Sequence, residues 1–129
     1  GEHSKWENKQ DKCIYRGAST GGSLRERTWL DVPRARLAYL SNSRVFREIM
    51  DVGISLVVQV ASDSDQNLIS RSMEENGVLK EVMSMEEQIR NYKLLIDIDG
   101  NSNSWEGAFW KLYSNSLTVK IECDFKQWY

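Results

Sequence analysis

Between Tyr92 and Ser114 the hydrophobic period changes twice, and no other stretch restricts the fold as much. Leu94, Leu95, Ile96 and Ile98 form a short apolar run, the mark of a strand buried on both faces. Asp99-Gly100-Asn101-Ser102-Asn103-Ser104 interrupts it with turn formers. Trp105, Phe109, Trp110 and Tyr113 then resume at helical spacing. In an open α/β sheet, ligands bind beyond the carboxyl ends of the strands, where such a loop lies. Backbone N–H groups and hydroxyls at the start of the following helix suit an anion, phosphate above all.

The same alternation runs through the chain. Residues 1–11 are polar and expected to be loose, and Lys12 to Tyr15 is a strand candidate. Arg16-Gly17-Ala18-Ser19-Thr20-Gly21-Gly22-Ser23 is a loop rich in glycine and hydroxyls. Pro33 fits the first turn of a helix, with Asp31 as its cap and with Leu37 and Leu40 on one side. Val45 to Met50 reads equally as a helical turn or a loop. Ile54 to Val60 is a β-branched strand, Ser62 to Asn67 a loop, and Leu68 to Glu75 a helix ended by the turn Asn76-Gly77. Ser84-Met85-Glu86-Glu87 is a capping box that starts a helix over residues 85–91. Leu117 to Ile121 is a last strand, and Asp124 to Tyr129 opens a further element. Alternation of this kind predicts an α/β fold, a Rossmann-like parallel sheet with helices on both faces, within one domain over residues 1–129. The chain ends inside an element, which suggests a piece of a longer protein.

Composition excludes more than it specifies. A formal charge of −2 in 129 residues argues against a general nucleic-acid binder, which would carry a basic excess. No apolar run approaches the roughly 20 residues of a membrane span. Cys13 and Cys123 read as two buried free thiols, although a disulfide is also compatible with the sequence. Without a CxxC, and with His3 as the single histidine, a zinc site has no donor set.

Several small constellations invite chemistry. The Gly17–Gly22 loop could cradle phosphate, with Arg25 or Arg27 neutralising charge, but it is neither a P-loop nor a GxGxxG fingerprint, and a plain surface loop is the commoner origin of such a segment. Asp97-Ile98-Asp99 has the form of a metal-holding DxD, a three-residue match that chance also produces. An EF-hand fails, because Gly100 comes too early and Ala108 stands where the closing Glu is needed. Of Trp105, Phe109, Trp110 and Tyr113, three are expected in the core, with Trp105 the one suited to stack on a base. Arg34, Arg36, Arg44 and Arg47 form a basic cluster that reads first as a solvated face. Ser19, Ser23 and Ser104 lack a histidine base, so nucleophilic catalysis finds no support.

Two segments together are more specific. Tyr15-Arg16-Gly17-Ala18-Ser19-Thr20-Gly21-Gly22, with Arg27 after it, resembles the "FRG" segment of the family 90 glycosyltransferases. Those include protein O-glucosyltransferases, capsule-associated xylosyltransferases and bacterial lipopolysaccharide-modifying enzymes. Tyr92 to Trp105 resembles that family's "KYKYLIDIDG…S" stretch, and Ser114 to Lys120 its "SNSLVLK" strand. The resemblance runs in order over residues 13–129.

It implies the donor-binding lobe of a GT-B transferase, inverting and without a metal or other cofactor. The donor would be a nucleotide diphosphate sugar, a UDP-sugar foremost. The acceptor hydroxyl, on protein, glycan or lipopolysaccharide, would be held by a lobe outside this chain together with the catalytic base. By motif position Ala18, Arg27, Asn101, Ser102, Asn103, Ser104 and Trp105 would line the donor site, with Arg27 on the diphosphate. Glu106 departs from the family, standing where animal O-glucosyltransferases have an arginine, so that charge would have to come from Lys111 or Arg25. A non-catalytic α/β module for a phosphorylated ligand is the alternative.

Overall fold

In the computed structural model, residues 5–102 and 105–121 are described, side chains 105 and 106 excepted. Four strands form one all-parallel sheet: β1 (Gln10–Ala18), β2 (Met50–Leu56), β3 (Tyr92–Asp97) and β4 (Leu117–Lys120), in the order β2-β1-β3-β4. Residues 78–80 extend it beyond β2 as a single parallel bridge, in which Ile54 N donates to Val78 O and Lys80 N to Ile54 O. The helices are α1 (Pro33–Ser41), α2 (Gln66–Glu75), α3 (Met85–Asn91) and α4 (Trp105–Leu112).

Side chains alternate across the sheet, so neighbouring residues of a strand serve different faces. Tyr15, Val52, Ile54 and Ile96 pack with Ala35 and Ala38 of α1 and with Ile69 and Met73 of α2. Ile14 and Leu95, their neighbours along the strands, pack on the other face with Ile89 of α3 and Trp110 of α4. The sheet is therefore covered on both sides, and the α/β Rossmann-like expectation is met.

Several local expectations need correcting. The first strand starts at Gln10, inside the stretch expected to be loose, and Lys9 is buried just before it. Lys9 Nζ donates to Ser114 O at 3.1 Å, Asn115 O at 2.9 Å and Ser116 Oγ at 2.6 Å, tying the start of β1 to the turn that ends α4. The second strand ends at Leu56, four residues earlier than its β-branched composition suggests. Beyond it no ladder continues: Val58 is bonded by Ser19 Oγ, Val60 makes a single bridge to Leu24, and Val57 and Val60 pack against the core. Pro33 opens α1 as its first residue, but the cap is Val32, with no side-chain bond from Asp31. The inward face of α1 is Ala35, Ala38 and Ser41, while Leu40 is exposed. Small residues let this helix lie close to β2; of the two leucines expected inside, Leu37 packs at the edge of the core and Leu40 stays out. Residues 43–49 are turns. Phe109 and Tyr113 are exposed and Trp110 alone of the three described aromatics packs inward. Ser84 caps α3 as expected, accepting from Glu87 N while Glu87 Oε2 accepts from Ser84 N. Cys13 is a free, half-buried thiol whose pKa burial raises; Cys123 and residues 124–129 lie outside the described residues.

Candidate functional site

The strand order reverses between β1 and β3, because the chain leaves β1 for β2 on one side and returns to β3 on the other. Loops diverge at such a point and leave a crevice at the carboxyl ends of the two strands. Loop A, residues 18–24, follows β1, and loop C, residues 98–102, follows β3. Loop B, residues 57–61, follows β2 and lies beside loop A.

Hydrogen bonds sew the three together. Buried Ser19 donates through Oγ to Val58 O at 2.9 Å and accepts from Val58 N at 2.8 Å, joining loops A and B. Leu24 continues the join as a parallel bridge to Val60, with its N–H on Gln59 O at 2.8 Å and no exposed side-chain surface. Gly21 reaches both other loops at once. Its N–H lies 3.2 Å from Gln59 Oε1 and 3.2 Å from Asn101 Oδ1. Its φ of +105° suits glycine alone. Gly100 is required for a different reason: a Cβ there would collide with Thr20 Oγ1.

Arg34, in the first turn of α1, is the centre of this junction. Its guanidinium donates to Ala18 O at 3.1 Å and Thr20 Oγ1 at 2.7 Å in loop A, and to Ile98 O at 2.9 Å in loop C. It also lies over the Tyr15 ring, 5.5 Å from the centroid. Arg34 Nε is buried without a partner. The solvated-face reading of this arginine is therefore wrong. A planar guanidinium with five donors in fixed directions holds these three acceptors from two loops in one plane-defined geometry, where an ammonium would offer a single point charge. Arg36 donates to Leu30 O and Asp31 O, and Arg44 and Arg47 are exposed.

A second charged group lies at the ends of β3 and β4. Asp97 is almost fully buried and accepts from Lys111 Nζ at 3.2 Å and Lys120 Nζ at 2.9 Å, one on each oxygen; Lys120 also pairs with buried Asp99. Burial pulls the Lys111 pKa down, partly offset by Asp97. Burial acts in the same sense on Lys120, but its hydrogen bonds to Asp99 and Asp97 outweigh it and raise the pKa. Tyr15 is pushed up to about 12, chiefly by burial. The two carboxylates of the DxD-like segment are thus engaged by ammonium groups, and among the described residues no cluster of metal-ligating side chains occurs. Arg34, Lys111 and Lys120 against Asp97 and Asp99 leave one net positive charge at this edge of the sheet.

Of the residues expected to line a site, Ala18 ends β1 and contributes its carbonyl to Arg34, and Asn101 meets loop A. Ser102 is exposed on loop C. Arg27 stands in the exposed turn before a short 3-10 segment, Trp29–Asp31, and among the described residues no hydrogen bond or ion pair ties it to either loop. Asn103 and Ser104 lie outside the described residues, as do the side chains of Trp105, the first residue of α4, and Glu106. Sequence reasoning placed Arg34 on a solvated face and passed over Gln59. For Arg34 the available signal was its place directly after an N1 proline, in the turn nearest the crevice; for Gln59 there was none.

The chain matches no protein-family model, and no curated protein or solved structure matches it at a significant level.

Proposed function

We propose that this chain is the donor-binding part of a glycosyltransferase. It would hold a nucleotide diphosphate sugar, a UDP-sugar foremost, for inverting transfer to a hydroxyl on protein, glycan or lipopolysaccharide. The observation that carries the reading is the Gly21–Asn101 contact, which brings loops 80 residues apart together over the topological switch point. The diphosphate lies along this junction, between the N–H groups of loops A and C and the start of α4. A leaving diphosphate gains negative charge as the sugar departs, and fixed positive charge beside it lowers the barrier. The net positive edge formed by Arg34, Lys111 and Lys120 supplies such a field without a metal. Arg27 is assigned to the diphosphate by motif position, with Arg25 as the other exposed cation next to loop A. Asn101 to Trp105 would contact phosphate and nucleoside, and Ala18 the donor from the floor of loop A. The acceptor lobe and its general base are assigned to residues outside this chain.

One observation favours the second reading, a non-catalytic module for a phosphorylated ligand. The carboxylates nearest the junction, Asp97 and Asp99, are both held by lysines and unsuited to take a proton. Binding is therefore the property to measure first. Titration with UDP, followed by tryptophan fluorescence, is expected to saturate by millimolar concentration. Arg27→Ala is expected to weaken binding by about 1.5–3 kcal/mol, as a lost charge-assisted bond does. No response to UDP contradicts both the transferase reading and its donor assignment; an unchanged Arg27→Ala removes that residue alone.

A further inference from the structure

Loop B carries a residue whose backbone and side chain both point to the same crevice. Gln59 has a φ of +59°, and Asn115 is the other described non-glycine residue with a positive φ. An L side chain there is strained relative to glycine, and strain of this kind concentrates at binding sites. The neighbours impose it: Val58 is fixed at N–H and C=O by Ser19 Oγ, and Gln59 O accepts from Leu24 N. The result places the exposed Gln59 carboxamide on Gly21 N–H, the same donor that Asn101 reaches from loop C. Two neutral oxygens share one hydrogen, each at 3.2 Å, the long end of the hydrogen-bond range. A single charged oxygen on that N–H makes a shorter bond, roughly twice as strong.

We infer that Gln59 and Asn101 hold the place of one phosphate oxygen on Gly21 N–H, and that Gln59 is a ligand-contacting residue contributed by a third loop. On arrival of the phosphate ester both carboxamides swing off Gly21. Each then presents its amide N–H2 to the ligand, because an amide carries donors as well as an acceptor. The exchange exposes no unpaired buried group, since all three partners sit at the mouth of the crevice. A glutamate at this position would keep the bond to Gly21 but repel the phosphate. A glycine would relieve the strain and lose the contact. This assignment rests on the phosphate-binding reading of the crevice and goes beyond it in naming loop B and Gln59.

The test compares the unaltered chain, Gln59→Gly and Gln59→Glu by isothermal calorimetry with UDP and with inorganic phosphate. Thermal melting serves as the control, and Gln59→Gly is expected to melt no lower than the unaltered chain. UDP binding is expected to weaken about three- to tenfold in Gln59→Gly and more than tenfold in Gln59→Glu. Phosphate is expected to show the same order, since the contact is to a phosphate oxygen. If the unaltered chain binds UDP and Gln59→Gly binds it equally well or better, the Gln59 assignment is overturned and the crevice reading stands. If the unaltered chain binds no UDP, the crevice reading fails and takes the assignment with it.

Discussion

Asp51 shows how a single side chain can tie distant parts of this chain together. Burial alone would raise its pKa, but hydrogen bonds from Tyr92, Arg16 and Lys80 outweigh it and pull the carboxyl down from 3.8 to about 2. The partners lie at 2.7 Å from Tyr92 Oη, 2.7 Å from Arg16 Nη2 and 3.0 Å from Lys80 Nζ. The folded-state value is lower than the unfolded one, so the stabilisation is complete above about pH 4 and is lost as pH falls towards 2. Denaturant titrations between those limits should show stability dropping with acid, and Asp51→Asn should flatten that part of the profile while lowering stability at neutral pH. A profile identical in the two proteins would remove Asp51 as the cause. Gly100 acts by being small. Gly100→Ala puts a Cβ against Thr20 Oγ1 and near Arg34 Cζ, so loops A and C must separate. UDP affinity should fall at least tenfold while far-ultraviolet circular dichroism stays unchanged, because neither β1 nor β3 includes these residues. Neither role was legible beforehand: Asp51 has no motif, and Gly100 read as an ordinary turn former.

Among the elements, the helix with a complete local signal was the most readable. Ser84 and Glu87 satisfy each other's backbone N–H groups, and α3 spans residues 85–91 as the capping box predicts. Ser84→Ala removes one half of that exchange and should cost about 1 kcal/mol, read from the shift in a urea midpoint. A cost indistinguishable from zero would mean that packing of Ile89, not the cap, holds this helix. The strand over residues 92–97 was readable because an apolar run between a helix and a turn admits few alternatives. The ends of β2 were not. Val57, Val58 and Val60 have strand composition, yet the Val58 backbone is taken by Ser19 Oγ, and the groups on either side of Val60, Gln59 O and Ala61 N, are taken by Leu24 of loop A, a tertiary claim that propensity cannot anticipate. The aromatic spacing of α4 misled for a related reason. Its period is helical, but Phe109 and Tyr113 are exposed, so spacing alone did not tell the inner face from the outer.

For the molecule as a whole, strand order does the most to place a site. A parallel sheet was legible from alternation alone, whereas the order β2-β1-β3-β4 was not, because helical crossovers of similar length can lead to either side of a strand. That order sets loops A and C on either side of the reversal, and Arg34 then clamps them from below. The resemblance to the transferases drew attention to the same two loops by motif, without the arginine that joins them or the glutamine of loop B. The account depends on these loops acting as one anion site. Two-dimensional 1H–15N NMR of the labelled chain during a UDP titration measures this directly. The amides of Gly21 in loop A and of Gly100 and Asn101 in loop C should shift together along one saturation curve, while Ser84 and Glu87 at the start of α3 stay still. Shifts confined to one loop, or none up to millimolar UDP, would contradict the account.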